Sequence, residues 1–434
     1  MLLFGLLFLL LALGAPIATA MGLSSLTYLV LNRINPIAVI QTLFSGIDQA
    51  AYLAVPFFIL AGDLMNSGGI ARRIVNMARR LVGNIHGGMG IVAIIACMFF
   101  AAISGSGIAT AAAIGGVMYA GLLRSGYSRS FSAIIIASAS PIGIIIPPSI
   151  AFIIYAVLAR VSIADLYKVG FPAGIIVGAA LIVPTYIIAR HRKYKERAGK
   201  IASGEIALED VPSLDEGKQV STIRTIWESL IALGTPVVIV GGVFAGIFTP
   251  TESAVVAVVY SIIIGMFVYR ELKPKDLIRI FKTSAKGTAG LMIIMASASL
   301  FAYVMVLARI PQNVFTVVQD FKGGLTGLML IINGIVLVAG MFMESGSIQY
   351  IAVPIILPIV TALGMDPVHF GIVLVVNLAI GMLTPPFGIT LFTSVKVFKS
   401  SVQAITKESI PFLFALIIAL FLITYVPQLV MWIL

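Results

Sequence analysis

Two stretches of this chain break their backbone in the middle of sequence apolar enough to lie in a bilayer. In the first, Ser104-Gly105-Ser106-Gly107 interrupts one apolar run and Ser140-Pro141-Ile142-Gly143, with Pro147-Pro148-Ser149, interrupts the next. In the second, Glu344-Ser345-Gly346-Ser347 and then Gly381 to Pro386 do the same. An unpaired backbone N–H or C=O in hydrocarbon costs several kcal/mol unless protein or a watery cavity receives it. Breaks at membrane depth therefore mark a candidate site.

The surrounding sequence fits a bilayer: 60% of the 434 residues are hydrophobic and 10% charged, against about a quarter charged in soluble domains. The net charge of +11 does not point to nucleic acid, because the cations lie between apolar segments rather than on a basic face. One cysteine, Cys97, excludes a disulfide framework, and His86, His191 and His369 have no metal-ligand spacing. The run Leu2 to Leu13 before Ala18-Thr19-Ala20 resembles a signal peptide, but no Lys or Arg precedes Arg33. A retained membrane helix bent near Gly14-Ala15-Pro16 is expected.

Simple spans are expected at about 47–66, 131–159, 169–189, 225–248, 252–269, 287–308, 369–395 and 409–433. Stretches 88–123 and 325–363 fit either two spans or one re-entrant hairpin each. Charge separates these options. With hairpins, the loops 67–87, 124–130, 190–224, 270–286 and 396–408 share one face and carry 23 of the 28 Lys and Arg residues. Only Arg33, Arg160, Lys168, Arg309 and Lys322 fall on the other. The positive-inside rule thus favours hairpins entering from opposite sides, with the C-terminus outside. The polar stretch 190–224 reads as a cytoplasmic loop. The amphipathic stretch with Arg72, Arg73, Arg79 and Arg80 reads as an interfacial helix, and 270–286 as a similar segment.

The two halves match. Ser106 precedes Pro147 by 41 residues and Ser345 precedes Pro385 by 40, and a glycine (Gly143, Gly381) stands four residues before each proline pair. Each half reads as hairpin, loop and broken helix. With opposite entry sides this is an inverted repeat, which in secondary transporters holds substrate and ions near the midplane. At each Ser-Gly tip, carbonyl ends suited to a hard cation such as Na+ meet helix N-termini suited to a carboxylate. Pro148 and Pro386 are expected to open the second half-helices. Ser104, Ser106, Thr110, Ser140 and Ser149 are candidates to line one side of the site, and Ser345, Ser347, Thr384 and Thr390 the other.

The segments AAISGSGIATAAAIGG, SPIGIIIPPS, GIFTPTESA and GMLTPPFGIT, with LGAPIATAMGL and VPFFILAGDLM, make the chain resemble the large membrane (M) subunit of tripartite ATP-independent periplasmic (TRAP) transporters along nearly its whole length. The resemblance implies an all-α polytopic membrane protein of the ion transporter superfamily, with an inverted repeat of two re-entrant hairpins and two broken helices and an elevator mechanism. It implies Na+-coupled uptake of a carboxylate-bearing acid, such as a C4-dicarboxylate or sialic acid, in a bacterial inner membrane. The partners implied are a periplasmic substrate-binding protein and a small four-helix (Q) subunit, expected as a separate polypeptide; no nucleic acid and no organic cofactor is expected. One Na+ site maps to Ser104, Ser106, Gly107, Ser140 and Gly143, the other to Ser345, Gly346, Gly381, Thr384 and Pro385. Ser106, Thr110, Ser149, Ser347 and Thr390 are assigned to substrate. Residues 88–165 and 325–400 form the two transport halves. Residues 1–87, 166–286, 287–324 and 401–434 supply scaffold helices and arms.

Among intramembrane acids, Glu344 adjoins the second tip and is a candidate for the cation or a proton. Glu252 reads as a helix-starting acid, Asp63 as the partner of a nearby base and Arg309 as a helix-end cation. A stand-alone Na+/dicarboxylate symporter is the rival within transport. A membrane enzyme is the rival outside it, though no catalytic pair shares a site.

Overall fold

The structure, a computed structural model, describes residues 2–82, 87–206, 222–319 and 321–434. Among the described residues every regular element is helical, and nine helices are long and apolar enough to cross a membrane. The N-terminal region is not one bent helix. It forms α1 (Leu2–Ala12) and α2 (Ile17–Leu31), packed on each other, because Gly14 turns at φ +82° and Pro16 cannot continue the backbone ladder. Phe4 of α1 meets Phe301 edge-on with ring centroids 5.7 Å apart.

After α3 (Pro36–Ser45) and α4 (Ala54–Ser67) comes α5 (Ile70–Val82), the expected amphipathic helix, with Ile70, Ile74, Val75 and Ala78 buried along one face. The first hairpin is α6 (Gly88–Ser104) and α7 (Gly107–Arg124), reversed across two residues. The first broken helix is α8 (Arg129–Ala139), a tight turn over Ser140–Ile144, and α9 (Ile150–Ala159). Then follow α10 (Ile163–His191), α11 (Tyr194–Ala202), α12 (Thr222–Phe244), α13 (Pro250–Ile263), α14 (Pro274–Leu307) and α15 (Ile310–Gln319). The second hairpin is α16 (Gly324–Phe342) and α17 (Ser345–Ala362), and the second broken helix is α18 (Pro367–Leu383) and α19 (Ile389–Phe398). Helices α20 (Val402–Tyr425) and α21 (Gln428–Met431) complete the order. Of the polar stretch 190–224, residues 207–221 lie outside the described residues.

Several local expectations change. Residues 270–286 are not a separate interfacial segment: from Pro274 at the first turn no further proline interrupts α14 until its end, so the basic stretch and the span are one helix of 34 residues. Pro148 and Pro386 do not open the half-helices. The caps fall one and two residues later, at Ser149 and Gly388, and the Ser149 hydroxyl can receive a first-turn N–H as a proline ring cannot. Asp63 accepts a hydrogen bond from Ser284 Oγ (2.6 Å), and no ion pair joins it to a base among the described residues. Glu252 does start its helix, in a reciprocal capping box with Thr249.

Packing sorts the helices into two layers. The second arm of each hairpin lies on the far half of the other repeat's broken helix, α7 on α19 and α17 on α9. Helices α10 and α20, expected in the scaffold, pack directly on the broken helices. A second layer joins α4 to α13 and α14, with α2 on α14 and α12 on α5 and α13. The layers meet where α5 and α4 pack on α6 and α14 packs on α17; at the first hairpin tip a β-carbon on Gly62 of α4 would lie 3.4 Å from Ser104 Cα.

All six non-glycine residues with positive φ among the described residues are cations: Arg33, Arg160, Lys193, Arg270, Arg309 and Lys399. Each follows a helical segment, where terminal carbonyls favour positive charge and a long stem can reach the interface.

Arg73 ties together the basic edge of the second layer. It donates to Glu228 (3.1 Å), Glu271 (2.8 Å) and the Gly69 carbonyl (3.0 Å), and stacks 3.6 Å from the Tyr269 ring centroid. Its side chain is 13% exposed against 58% for Arg72. Arg73→Leu is expected to cost about 2 kcal/mol, since Glu228 and Glu271 each lose a partly buried ion-pair partner. Arg72→Leu is expected to cost under ~1 kcal/mol. Thermal melting of the detergent-solubilised protein checks the order; equal shifts would refute it.

Candidate functional site

At the first tip, α6 ends on Ser104, Gly105 turns left-handed (φ +59°) and Ser106 caps α7 by accepting from Ala109 N (3.4 Å). Ser104 Oγ lies 2.9 Å from Thr110 Oγ1, and Thr110 donates to the Ser106 carbonyl (2.8 Å). Ser104 and Thr110 are buried. The first break closes onto this tip. A β-carbon on Gly143 would lie 2.8 Å from the Ser106 carbonyl oxygen, and one on Gly107 would lie 3.2 Å from Pro141 Cα and 3.4 Å from the Ser140 carbonyl oxygen. On Gly105 it would meet the Pro148 carbonyl oxygen at 2.7 Å. The glycines are there because backbone must touch backbone. Of the expected first set, Ser104, Ser106, Gly107, Thr110, Ser140 and Gly143 are all brought together.

The second half repeats the plan with different contacts. At the break, Thr384 Oγ1 donates to the Ile380 carbonyl (2.7 Å), and Gly381 touches Gly340 of α16, backbone to backbone. Phe342 and Phe387 pack across the same junction with their rings tilted by 48°, centroids 5.6 Å apart. The break therefore meets the hairpin one turn before its tip. At the tip, Gly346 faces Ile154 of α9, and Ser345 Oγ and Gly346 N both donate to the Glu344 carboxylate. Both Pro147–Pro148 and Pro385–Pro386 peptides are cis.

The tips differ in charge. Glu344 caps α17, accepting from Gly346 N (3.0 Å) and Ser347 N (3.4 Å) and from Ser345 Oγ (3.2 Å), so a carboxylate already sits on that helix N-terminus. The first tip is capped by the neutral Ser106. Ser347 Oγ and both amide atoms of Gln349 are buried and make no hydrogen bond among the described residues.

Ser149 and Thr390 are fully buried, and their hydroxyls serve the breaks. Ser149 Oγ donates to the Ile144 carbonyl (2.6 Å) and accepts from Phe152 N. Thr390 Oγ1 lies 2.9 Å from the Met382 carbonyl oxygen and 3.1 Å from that of Ala137, joining the two broken helices. Sequence reasoning missed that cross-repeat bond. It also missed the buried Asn333, Asn377 and Thr424, whose only signal was amide and hydroxyl side chains inside apolar runs. Outside the spans, the Arg192 guanidinium forks onto Glu408 (both contacts 2.8 Å), and that carboxylate holds it above its ordinary pKa.

Thr390→Val removes the hydroxyl from two buried carbonyls and is expected to cost roughly 1–3 kcal/mol. Lowered melting and lowered transport together are the expected readout; full retention of both would remove its bridging role. Gly143→Ala is expected to push the break off the tip and abolish transport while membrane insertion, followed by expression and gel filtration, persists.

The sequence model of the DctM component of the tripartite ATP-independent periplasmic transporters matches residues 4–429. The C4-dicarboxylate TRAP transporter large permease protein DctM of Pseudomonas aeruginosa is 39% identical over 410 residues, covering 94% of this chain and 92% of that protein. The isethionate TRAP transporter permease protein DctMQ of Oleidesulfovibrio alaskensis is 38% identical over 431 residues, covering 99% of this chain; the chain spans 65% of that relative's length. Among solved structures, the Alcanivorax borkumensis YdaH transporter, described as having an unusual topology, aligns with a TM-score of 0.62 at 13% identity, over 90% of this chain and 87% of that one, a likeness of fold alone.

Proposed function

The chain belongs to the DctM component family of tripartite ATP-independent periplasmic transporters, and on that premise we propose that it carries a small organic anion into the cell, driven by Na+, after a periplasmic binding protein delivers it. The family is a transport permease, not an enzyme. The observation that carries the coupling ion is the junction of first tip and first break, where the Ser104 hydroxyl and the carbonyl oxygens of Ser106 and Ser140 gather. Neutral oxygens of this kind suit a hard monovalent cation. The anionic end of the cargo is assigned to the first tip, because α7 keeps its partial positive charge whereas Glu344 neutralises α17.

Relatives named for C4-dicarboxylate and for isethionate, both small organic anions, support the substrate class. The relative named DctMQ, half as long again as this chain, supports a small subunit as partner. The moving unit is taken to contain 88–165 and 325–400, with α4, α13 and α14 as frame, in an elevator motion across the inner membrane of a bacterium. Residues assigned to Na+ are Ser104, Ser106, Gly107, Ser140 and Gly143, and Ser345, Gly346, Gly381, Thr384 and Pro385. Those assigned to substrate are Ser106, Thr110, Ser149, Ser347 and Thr390.

The test is uptake in proteoliposomes holding this chain and a small subunit, with the cognate binding protein outside. Uptake is expected under an inward Na+ gradient and not under choline. Uptake by this chain alone would instead establish a stand-alone symporter. Ser106→Ala and Thr384→Ala are each expected to raise the half-saturating Na+ concentration about tenfold, as loss of roughly 1.4 kcal/mol of ion binding would. Unchanged Na+ dependence in both would dismiss the two sites.

A further inference from the structure

Three helices meet in a buried polar cluster outside both breaks. Asn377 of α18 donates its Nδ2 to two oxygens of Asn333 on α16, the carbonyl O (2.9 Å) and Oδ1 (3.0 Å). Asn333 Nδ2 in turn donates to Thr424 Oγ1 of α20 (3.2 Å). Asn333, Asn377 and Thr424 are 5%, 1% and 5% exposed. Asn377 Oδ1 makes no hydrogen bond among the described residues. A fully satisfied helix clamp would not leave a buried amide oxygen unpaired, because that omission costs more than an interhelical bond returns.

The cluster lies between a cavity and the second break. On one side, Thr424 also lines a cavity of about 630 Å³ at the N-terminal ends of α16 and α18, together with Thr326, Asp366 and His369. By the sorting of basic loops this is the outer face. On the other side, Gly381 stands four residues, one helical turn or about 6 Å, beyond Asn377 on α18. The seam of α16 and α18 thus runs from the outer cavity through the asparagines to the break where Gly340 and Gly381 touch.

We propose that Asn333 and Asn377 form a way station for the coupling cation between the outer cavity and the break at Gly381. The inference rests on the cation-coupled reading. The Asn377 amide is the moving part. Its N and O ends are nearly the same size, so a half-turn of the carboxamide exchanges them with little change of packing. As described, the NH2 end fills a cradle of two Asn333 oxygens, standing where a cation would stand. After the half-turn, Asn377 Oδ1 faces Asn333 O and Oδ1. Three oxygens face one another stably only with a positive charge or a water between them, and such neutral oxygen sets replace the hydration shell of alkali ions. Thr424 is a positioning residue: by accepting from Asn333 Nδ2 it keeps Asn333 Oδ1 turned toward the cradle.

The experiment uses the assembled permease with its small subunit, read two ways: initial uptake against Na+ concentration in proteoliposomes, and melting temperature in NaCl against choline chloride in detergent. Asn377→Leu is expected to raise half-saturating Na+ about tenfold and to reduce the Na+-specific melting shift. Asn377→Asp keeps the oxygens but loses the donor, so it is expected to hold half-saturating Na+ at or below the wild-type value. A purely structural clamp gives the reverse order, with Asp worse than Leu in melting and Na+ dependence unchanged in both, and that result overturns the proposal. If Asn377→Leu does not fold, Thr424→Val carries the test: a raised half-saturating Na+ supports the way station and an unchanged one overturns it. Wild-type uptake that ignores Na+ would sink the coupling reading itself. Wild-type Na+ dependence with unaltered variants sinks only the way station.

Discussion

The structure depends on one constraint: backbone polar groups that leave a helix inside hydrocarbon must find partners in the protein. Each break is stable because something is pressed against it. Gly143 brings its backbone onto the Ser106 carbonyl, Gly105 brings the first tip onto the Pro148 carbonyl, and Gly381 lies against Gly340. Hydroxyls complete the pairing, with Ser149 serving Ile144, Thr384 serving Ile380 and Thr390 serving Met382 and Ala137. The oxygens gathered to tolerate the first break are the same ones to which the proposed function assigns the cation, so that proposal ties the fold's cost to its use.

The two repeats share this logic without sharing its details. The first break closes on its own hairpin tip, and the second meets its hairpin a turn earlier, at Gly340. The first tip is capped by a neutral serine, and the second by a carboxylate that occupies its own helix N-terminus. An inverted repeat with chemically unequal tips can treat a cation and an anion differently, which two equal tips could not.

Much of this was legible in the residues. Apolar runs, the Ser-Gly tips and the matched Gly-x3-Pro-Pro spacing located both hairpins and both broken helices, since a break in hydrocarbon is costly enough to be chemically conspicuous. The amphipathic α5 and the Thr249–Glu252 capping box were legible for the same kind of reason: each is a local pattern with a local cause. What failed also failed locally. Pro148 and Pro386 were expected at helix starts, yet the caps fell at Ser149 and Gly388. The basic stretch 270–286 read as an interfacial piece, but with no proline to stop it the helix simply runs on into the span.

The sequence by itself determined that the chain crosses a bilayer, where its backbone breaks, and that the breaks recur with inverted topology, because hydropathy, charge and breaker residues act over short range. Only the tertiary structure decided what each break touches. That Asn333, Asn377 and Thr424 form one cluster, that Thr390 of one repeat bonds Ala137 of the other, and that Asp63 meets Ser284 are facts of packing between residues up to 253 positions apart. No periodicity encodes them, because a hydroxyl or amide in an apolar run looks the same until its neighbour across the helix interface is fixed.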